Sequence, residues 1–216
     1  TVLAGRPVIG LNLGSLGFLT SVSENDLERA LDCLARDDYT VSTRRLAVCA
    51  AIRGGQPVSE SLCLNECVIR NGDSGRMVEL AVEVDGGTPA SISADGLIVA
   101  TPTGSTGHSL AAGGPILFPA CPAFVLTFIC AHALSARPLV IPDSSRIEIG
   151  VVHSPGVVSL IVDGQSVTPL EPGDRVRVGR SPITASFVHL PGYDFLSLLR
   201  QKLHWQGSSA RQSRAG

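Results

Sequence analysis

The stretch Asp95-Gly-Leu-Ile-Val-Ala-Thr-Pro-Thr-Gly-Ser-Thr-Gly-His-Ser-Leu-Ala-Ala-Gly-Gly-Pro115 decides how this chain is read. Leu97 to Ala100 is a short apolar run with the character of a strand buried on both faces. Pro102 ends it, because proline has no N–H for the ladder and biases Thr101 away from helix. Gly104 and Gly107 let the backbone approach a ligand closely. Thr103, Ser105, Thr106 and Ser109 supply hydroxyls that can cap a helix or bond to a phosphate or sugar. A short helix is expected over about Thr106 to Ala112, ended by Gly113-Gly114-Pro115. The dipole of a helix start aimed at a pyrophosphate contributes only on the order of 0.3–1 kcal/mol, too little to hold a ligand alone.

An isolated loop of this composition is more often a strand-to-helix connection whose hydroxyls serve only the backbone. Asp95 at the start of the strand and a second constellation upstream change that reading. Asn65-Glu66 lies within Ser61 to Arg70, where Leu62, Leu64, Cys67, Val68 and Ile69 otherwise make a strand. An amide and a carboxylate in such company need partners, because an unpaired buried charge is costly. A ribose diol and an adenine edge would serve, and so would an arginine such as Arg70 or Arg53. Near the amino terminus, Pro7 to Thr20 gives a short apolar strand followed by glycines, with Gly10, Gly14 and Gly17 in a G-x-x-x-G-x-x-G spacing. That is not the dinucleotide fingerprint. No Walker sequence occurs either, since the only lysine is Lys202.

Together these segments resemble the NAD kinase family. The match runs in order through Gly10-Leu-Asn-Leu-Gly-Ser-Leu-Gly-Phe18, Asn65-Glu66, Asp95 to Pro115, Ala131-His-Ala-Leu-Ser-Ala-Arg-Pro-Leu-Val-Ile-Pro142, Asp163-Gly164 and Leu199-Arg-Gln-Lys-Leu-His-Trp205. The resemblance implies transfer of the γ-phosphoryl of ATP, or of polyphosphate, to the 2′-hydroxyl of the adenosine ribose of NAD, with Mg²⁺ or another divalent cation accompanying ATP. It places Phe18 beside the nucleotide, Asn65 and Glu66 on NAD, Asp95 on the substrate, and Thr103, Thr106 and the neighbouring Gly107 around the adenosine. His108 stands where the family usually has tyrosine; an imidazole can still stack and donate a hydrogen bond. The family's Gly-Gly-Asp-Gly loop, whose aspartate activates the ribose hydroxyl, does not occur in these 216 residues and is expected upstream of Thr1, so no catalytic residue is assigned within the chain. A catalytically incomplete NAD-binding fragment is the alternative. A homodimer or homotetramer is implied as well.

Composition fits a cytoplasmic domain, with 44% hydrophobic residues and a net charge of -2. That charge leaves no footprint for nucleic acid or a membrane surface. The longest apolar stretch, Ala123 to Ala131, is far too short to span a bilayer. The six cysteines lack C-x-x-C spacing and read as reduced core residues, and no metal site is assigned. Gly107-His108-Ser109-Leu110-Ala111 nearly spells a nucleophile elbow, with Asp163 and His189 in the right order for a serine hydrolase. Ser109 lies too far past its strand, however, and alanine replaces the second glycine.

A helix is expected over Asp26 to Ala35, with Ser23 as cap and Leu27, Ala30, Leu31 and Leu34 on one face. Strands are expected at Val41 to Arg53, Ser61 to Arg70, Val78 to Val84, Ser91 to Thr101, Phe124 to Ile129, Leu139 to Ile141, Arg146 to Val152, Val157 to Val162, Arg175 to Val178 and Thr184 to Leu190. Short strands at this spacing argue for an antiparallel β-sandwich. The resemblance adds the remnant of a Rossmann-like α/β half before it. The expected organisation is then that remnant over 1–37, an NAD-binding β-sandwich over 38–190, a returning helix over 191–206 (Phe195 to Leu203) and a disordered tail over 207–216.

Overall fold

The computed structural model describes residues 5–12, 18–20, 22–72, 76–133 and 135–205. Gly14, Gly17, Asp73, Leu134 and the 207–216 tail lie outside the described residues. In chain order the elements begin with β1 (Leu11–Asn12), β2 (Val22–Ser23), α1 (Leu27–Ala35), β3 (Thr40–Arg53) and β4 (Gln56–Cys63). Then come β5 (Glu66–Asn71), β6 (Val78–Val84), β7 (Ala90–Ala94), β8 (Gly96–Ala100), α2 (His108–Ala111) and β9 (Ala123–Ile129). The series closes with β10 (Leu139–Pro142), β11 (Ile147–His153), β12 (Val158–Val162), β13 (Ser166–Leu170), β14 (Arg175–His189) and α3 (Phe195–Lys202). None of the described helices is long and apolar enough to cross a membrane.

Two compact units divide the chain, one of Thr43–Ala185 and the other of Arg6–Ser42 with the chain from Ser186 onward. The larger is a β-sandwich. One six-stranded sheet has the order β10-β9-β8-β5-β12-β13 and the other β4-β3-β14-β11-β6-β7. Their inner faces make one core that includes Ile69, Leu97, Phe124, Leu126 and Leu160 from the first sheet and Leu80, Ile147, Ile149 and Val176 from the second. Each such side chain stabilises the fold by roughly 1.5–3 kcal/mol on burial. Strand β8 is buried along its whole length. Ile98 and Ala100 point away from the sandwich core and pack with Val68 and Val125 under Ala112 and Leu117. The expectation of a strand covered on both faces therefore holds, although its neighbours are antiparallel.

The structure corrects two strands in a way that matters for the site. Ser61 to Arg70 is not one strand. β4 ends at Cys63 in one sheet and β5 starts at Glu66 in the other, so the chain changes sheet at Leu64-Asn65. Ser91 to Thr101 divides likewise at Asp95, between β7 and β8. Conversely, the strands expected at Arg175 to Val178 and Thr184 to Leu190 merge into the single long strand β14, which ends at His189. β13 is not evident in the sequence because Pro169 interrupts its pattern, yet it lies at a sheet edge, where a missing N–H is tolerated.

In the smaller unit, β1 pairs in parallel with β2, and Val8 bridges Phe187. Helix α1 follows a 3₁₀ turn over Glu24–Asp26, and Ser23 does not cap it through the backbone; its hydroxyl donates to the Asp26 carboxylate at 2.6 Å. The buried stripe is Ala30 and Cys33, packed with Val22, Ile9 and Leu190. Leu27 and Leu31 are exposed, because this stripe is rotated from the face on which they sit. α3 starts at Asp194, whose carboxylate accepts from the N–H of Leu196 at 3.4 Å and of Ser197 at 2.8 Å. Of the cysteines, Cys33, Cys49, Cys63 and Cys67 are buried, Cys121 is half-buried, and Cys130 is exposed with φ +46 just past β9, so the last two are not core residues.

Candidate functional site

The first crossover, Cys63 to Glu66, is where a ladder must stop and its N–H groups must find other acceptors. The Asp163 carboxylate takes them. It accepts from Leu64 N–H at 2.7 Å, Asn65 N–H at 2.8 Å and Glu66 N–H at 3.1 Å. From the opposite side Thr101 donates its hydroxyl to the Leu64 carbonyl at 2.5 Å and its N–H to the Asn65 carbonyl at 2.8 Å. Gly104 sits against the Asn65 backbone so closely that a Cβ there would overlap it. Here the glycine is required by close approach.

With its backbone held on both sides, this corner leaves its side chains unengaged. Among the described residues, nothing hydrogen-bonds the Asn65 amide or the Glu66 carboxylate, and both residues are half-buried. Glu66 Oε2 lies 3.9 Å from where a Cβ on Gly107 would be, so the carboxylate faces the Thr103–Gly107 turn. Burial, and after it the charge of Asp163, push the Glu66 carboxyl up to about 7. The arginines considered as partners lie elsewhere. Arg53 pairs with Asp174 at 2.6 Å and Glu171 at 3.0 Å, and Arg70 is exposed on β5.

The hydroxyl-rich turn divides into structural and open positions. Ser105 is fully buried, donates to the Pro102 carbonyl at 2.7 Å and accepts from Leu117 N–H at 2.9 Å. Ser109 is equally buried and bonded to Thr127 at 2.8 Å. Thr103 and Thr106 are half-buried, with the Thr106 hydroxyl on the Thr103 carbonyl at 3.2 Å. The helix expected over Thr106 to Ala112 is instead a 3₁₀ turn, Gly104–Thr106, and the four-residue α2. So short a helix carries little dipole, and the polar groups of the turn must provide any hold on a ligand.

At the β7-to-β8 crossover Asp95 donates its N–H to the Ile129 carbonyl at 2.9 Å and its carbonyl accepts from Asn71 N–H at 3.2 Å. Its half-buried side chain makes no hydrogen bond among the described residues and lines a pocket of about 340 Å³ with His108, Arg70, Arg76 and Ile129. His108 itself is exposed. The structure thus joins Asn65, Glu66 and Gly107 in one cluster and Asp95 with His108 in a second. Phe18 is half-buried in the smaller unit.

The backbone clamp made by Asp163 and Thr101 is not evident in the sequence. The available signal was the Asp163-Gly164 turn itself, where a carboxylate occupies a position that asparagine or glycine would fill equally well. The hydrolase arrangement does not form, since Ser109 is bonded to Thr127, Asp163 to three backbone N–H groups, and His189 to Ser42 at 2.6 Å.

Residues 64–190 match the ATP-NAD kinase C-terminal domain model. The chain is 43% identical over 207 residues to an NAD kinase of Desulforamulus reducens, covering 95% of this chain and 72% of that protein. It is 45% identical over 199 residues to an NAD kinase of Symbiobacterium thermophilum, covering 92% and 70%. Among solved structures, yeast NADH kinase complexed with NADH superposes with a TM-score of 0.86 at 27% identity, over 96% of this chain and 62% of the yeast chain. An NAD kinase from Archaeoglobus fulgidus in complex with ATP gives 0.77 at 27% identity, over 93% and 75%. The matched segment begins at the first crossover and takes in both corners, the hydroxyl-rich turn and Asp163, and the chain belongs to the NAD kinase family.

Proposed function

We propose that this chain serves phosphoryl transfer from ATP, or polyphosphate, to the 2′-hydroxyl of the adenosine ribose of NAD, giving NADP, and that it supplies the NAD side of the site. One observation carries the reading: Asn65, Glu66 and Asp95 hold half-buried polar side chains with no partner among the described residues, beside a turn whose deeper hydroxyls are already bonded. Two carboxylates and an amide suit a ligand rich in O–H and N–H donors, as a ribose diol and an adenine edge are. Glu66 and Asn65 then hold the ribose against Thr103, Thr106 and Gly107, Asp95 and His108 take another part of the dinucleotide, and Phe18 packs beside the nucleotide. Phosphoryl transfer depends mainly on such positioning and on neutralising charge.

Mg²⁺ would accompany the ATP phosphates and neutralise their charge. Among the described residues no group of three or more His, Cys, Asp and Glu side chains is placed to hold a metal ion, so these residues do not fit a resident cation site. A second reading is a binding fragment without turnover. It is favoured by one fact, that no Gly-Gly-Asp-Gly occurs in the 216 residues, which leaves the hydroxyl-activating aspartate unassigned. A cytoplasmic homodimer or homotetramer completes the proposal, and light scattering after size exclusion would test the assembly.

The decisive assay follows NADP formation from NAD, ATP and Mg²⁺ by this chain and by the protein translated from the whole reading frame. Turnover by the longer protein with NAD binding by both supports the first reading. NAD binding without turnover by either supports the second.

A further inference from the structure

We propose that Asp163 is the positioning residue of this substrate corner: its carboxylate fixes the backbone of Leu64 to Glu66 so that Asn65 and Glu66 face the ligand together, and its charge adds to burial in restraining how strongly Glu66 grips a ribose hydroxyl. The inference rests on the functional reading above and adds a residue to it.

Asp163 and Gly164 are the central residues of the turn after β12, at φ +49 and +69, closed by Gln165 N–H on the Val162 carbonyl at 3.0 Å. Such a turn accepts Asn, Asp or Gly at its first central position, so the turn alone does not call for a charge. What uses the carboxylate is the crossover. Three successive N–H groups converge on its two oxygens, and Asp163 N–H donates in return to the Glu66 carbonyl at 3.0 Å. A neutral amide at this position has one acceptor oxygen where the carboxylate has two.

The same charge faces Glu66, and two neighbouring carboxylates repel. A purely structural clamp gains nothing from that opposition, whereas a site that must bind and release a diol gains an acceptor whose charge is held in check. The cysteines about this corner are neutral thiols. Cys67 on the same strand stays a thiol, raised well above its ordinary value by its hydrogen bond with Cys49 and by burial. Cys63, whose thiol donates to Asp163 at 3.5 Å, is brought to about 11: its hydrogen bond with Cys49 acts downward, and burial, the charges of Cys67 and Asp163 and the hydrogen bond to Asp163 together outweigh it. From the turn, Gly107 brings no side chain, and His108 follows it as the next titratable residue.

The test uses the protein from the whole reading frame, with NAD affinity measured by calorimetry from pH 5.5 to 8.5 and the Glu66 carboxyl followed by ¹³C NMR. In the wild type, NAD affinity rises with pH through about 7, as Glu66 ionises. Asp163→Asn should move both the affinity midpoint and the carboxyl titration downward, and the loss of one acceptor should weaken NAD binding several-fold at pH 8. Glu66→Gln should flatten the pH profile. A folded Asp163→Asn protein with both midpoints unmoved would overturn the proposal. If Asp163→Asn does not fold, a Glu66→Gln profile that still rises through pH 7 has the same force. Wild-type protein that binds no NAD at any pH would sink the functional reading instead, and the ¹³C midpoint would still decide whether Asp163 controls Glu66.

Discussion

Two of the places where the chain passes from one sheet to the other, Leu64-Asn65 and Asp95, make the same turn by opposite means. At Leu64-Asn65 the backbone is held by side chains from far along the sequence, Asp163 and Thr101, and the local side chains are left open. At Asp95 the backbone is held by neighbouring backbone, Ile129 and Asn71, and only the side chain faces the pocket. The first corner joins stability to binding through its clamp. The second keeps them apart, so a change at Asp95 should be felt by a ligand and hardly by the fold.

Substitutions can break that contrast. The largest expected effect is at the clamp. Asp163→Ala leaves three N–H groups without their acceptor, and at about 1–3 kcal/mol for each unsatisfied buried donor the loss should reach at least ~3 kcal/mol. For a protein of this size that is a fall of roughly 6–12 °C in Tm, measured by thermal denaturation. A drop of only a degree or two would mean that the corner does not depend on its clamp. Ser105→Ala comes next, because it strands the Leu117 N–H inside the fold, at a cost of about 1–3 kcal/mol in chemical denaturation.

Asp95→Asn should stay within about 0.5 kcal/mol of wild-type stability. The same change removes a charge-assisted bond of roughly 1.5–3 kcal/mol to the ligand, which calorimetry would read as about tenfold or more weaker NAD binding. If instead stability fell and affinity held, the two corners would have exchanged roles. The smallest change is expected for His108→Tyr, which keeps a flat ring and a donor at an exposed position and should leave NAD affinity equal or slightly improved.

The difference between the corners also explains what could be read from sequence. Alternating apolar residues announced the strands of the sandwich, and the buried run Leu97 to Ala100 was legible in full. Asn65, Glu66 and Asp95 stood out because polar side chains interrupt apolar runs. The breaks themselves were invisible, since the first is made by Asp163, 98 residues away from Asn65, and no local propensity carries that information. The turn misled in the other direction. Its hydroxyls all looked available, but Ser105 and Ser109 are taken up by the backbone and by Thr127, and only packing reveals which ones. Gly179, Pro182 and the hydrogen bond from Ile183 N–H to the Ser181 hydroxyl at 3.0 Å mark the stretch of β14 that reads as a turn from sequence alone.

The claim that the open side chains of the first corner exist for NAD is tested most directly by Glu66→Ala at pH 8, with affinity and stability measured together. The folded-state carboxyl lies near 7, above the ordinary 4.5, so Glu66 favours the fold fully only below about 4.5, and that contribution is lost as pH rises through about 7. At pH 8 the ionised Glu66 opposes folding beside Asp163. Its removal should therefore leave Tm unchanged or higher while NAD binding weakens about tenfold or more, the loss expected for a hydrogen bond to a charged group of roughly 1.5–3 kcal/mol. Unchanged NAD affinity with Tm lowered by several degrees would contradict the account and return Glu66 to a structural role.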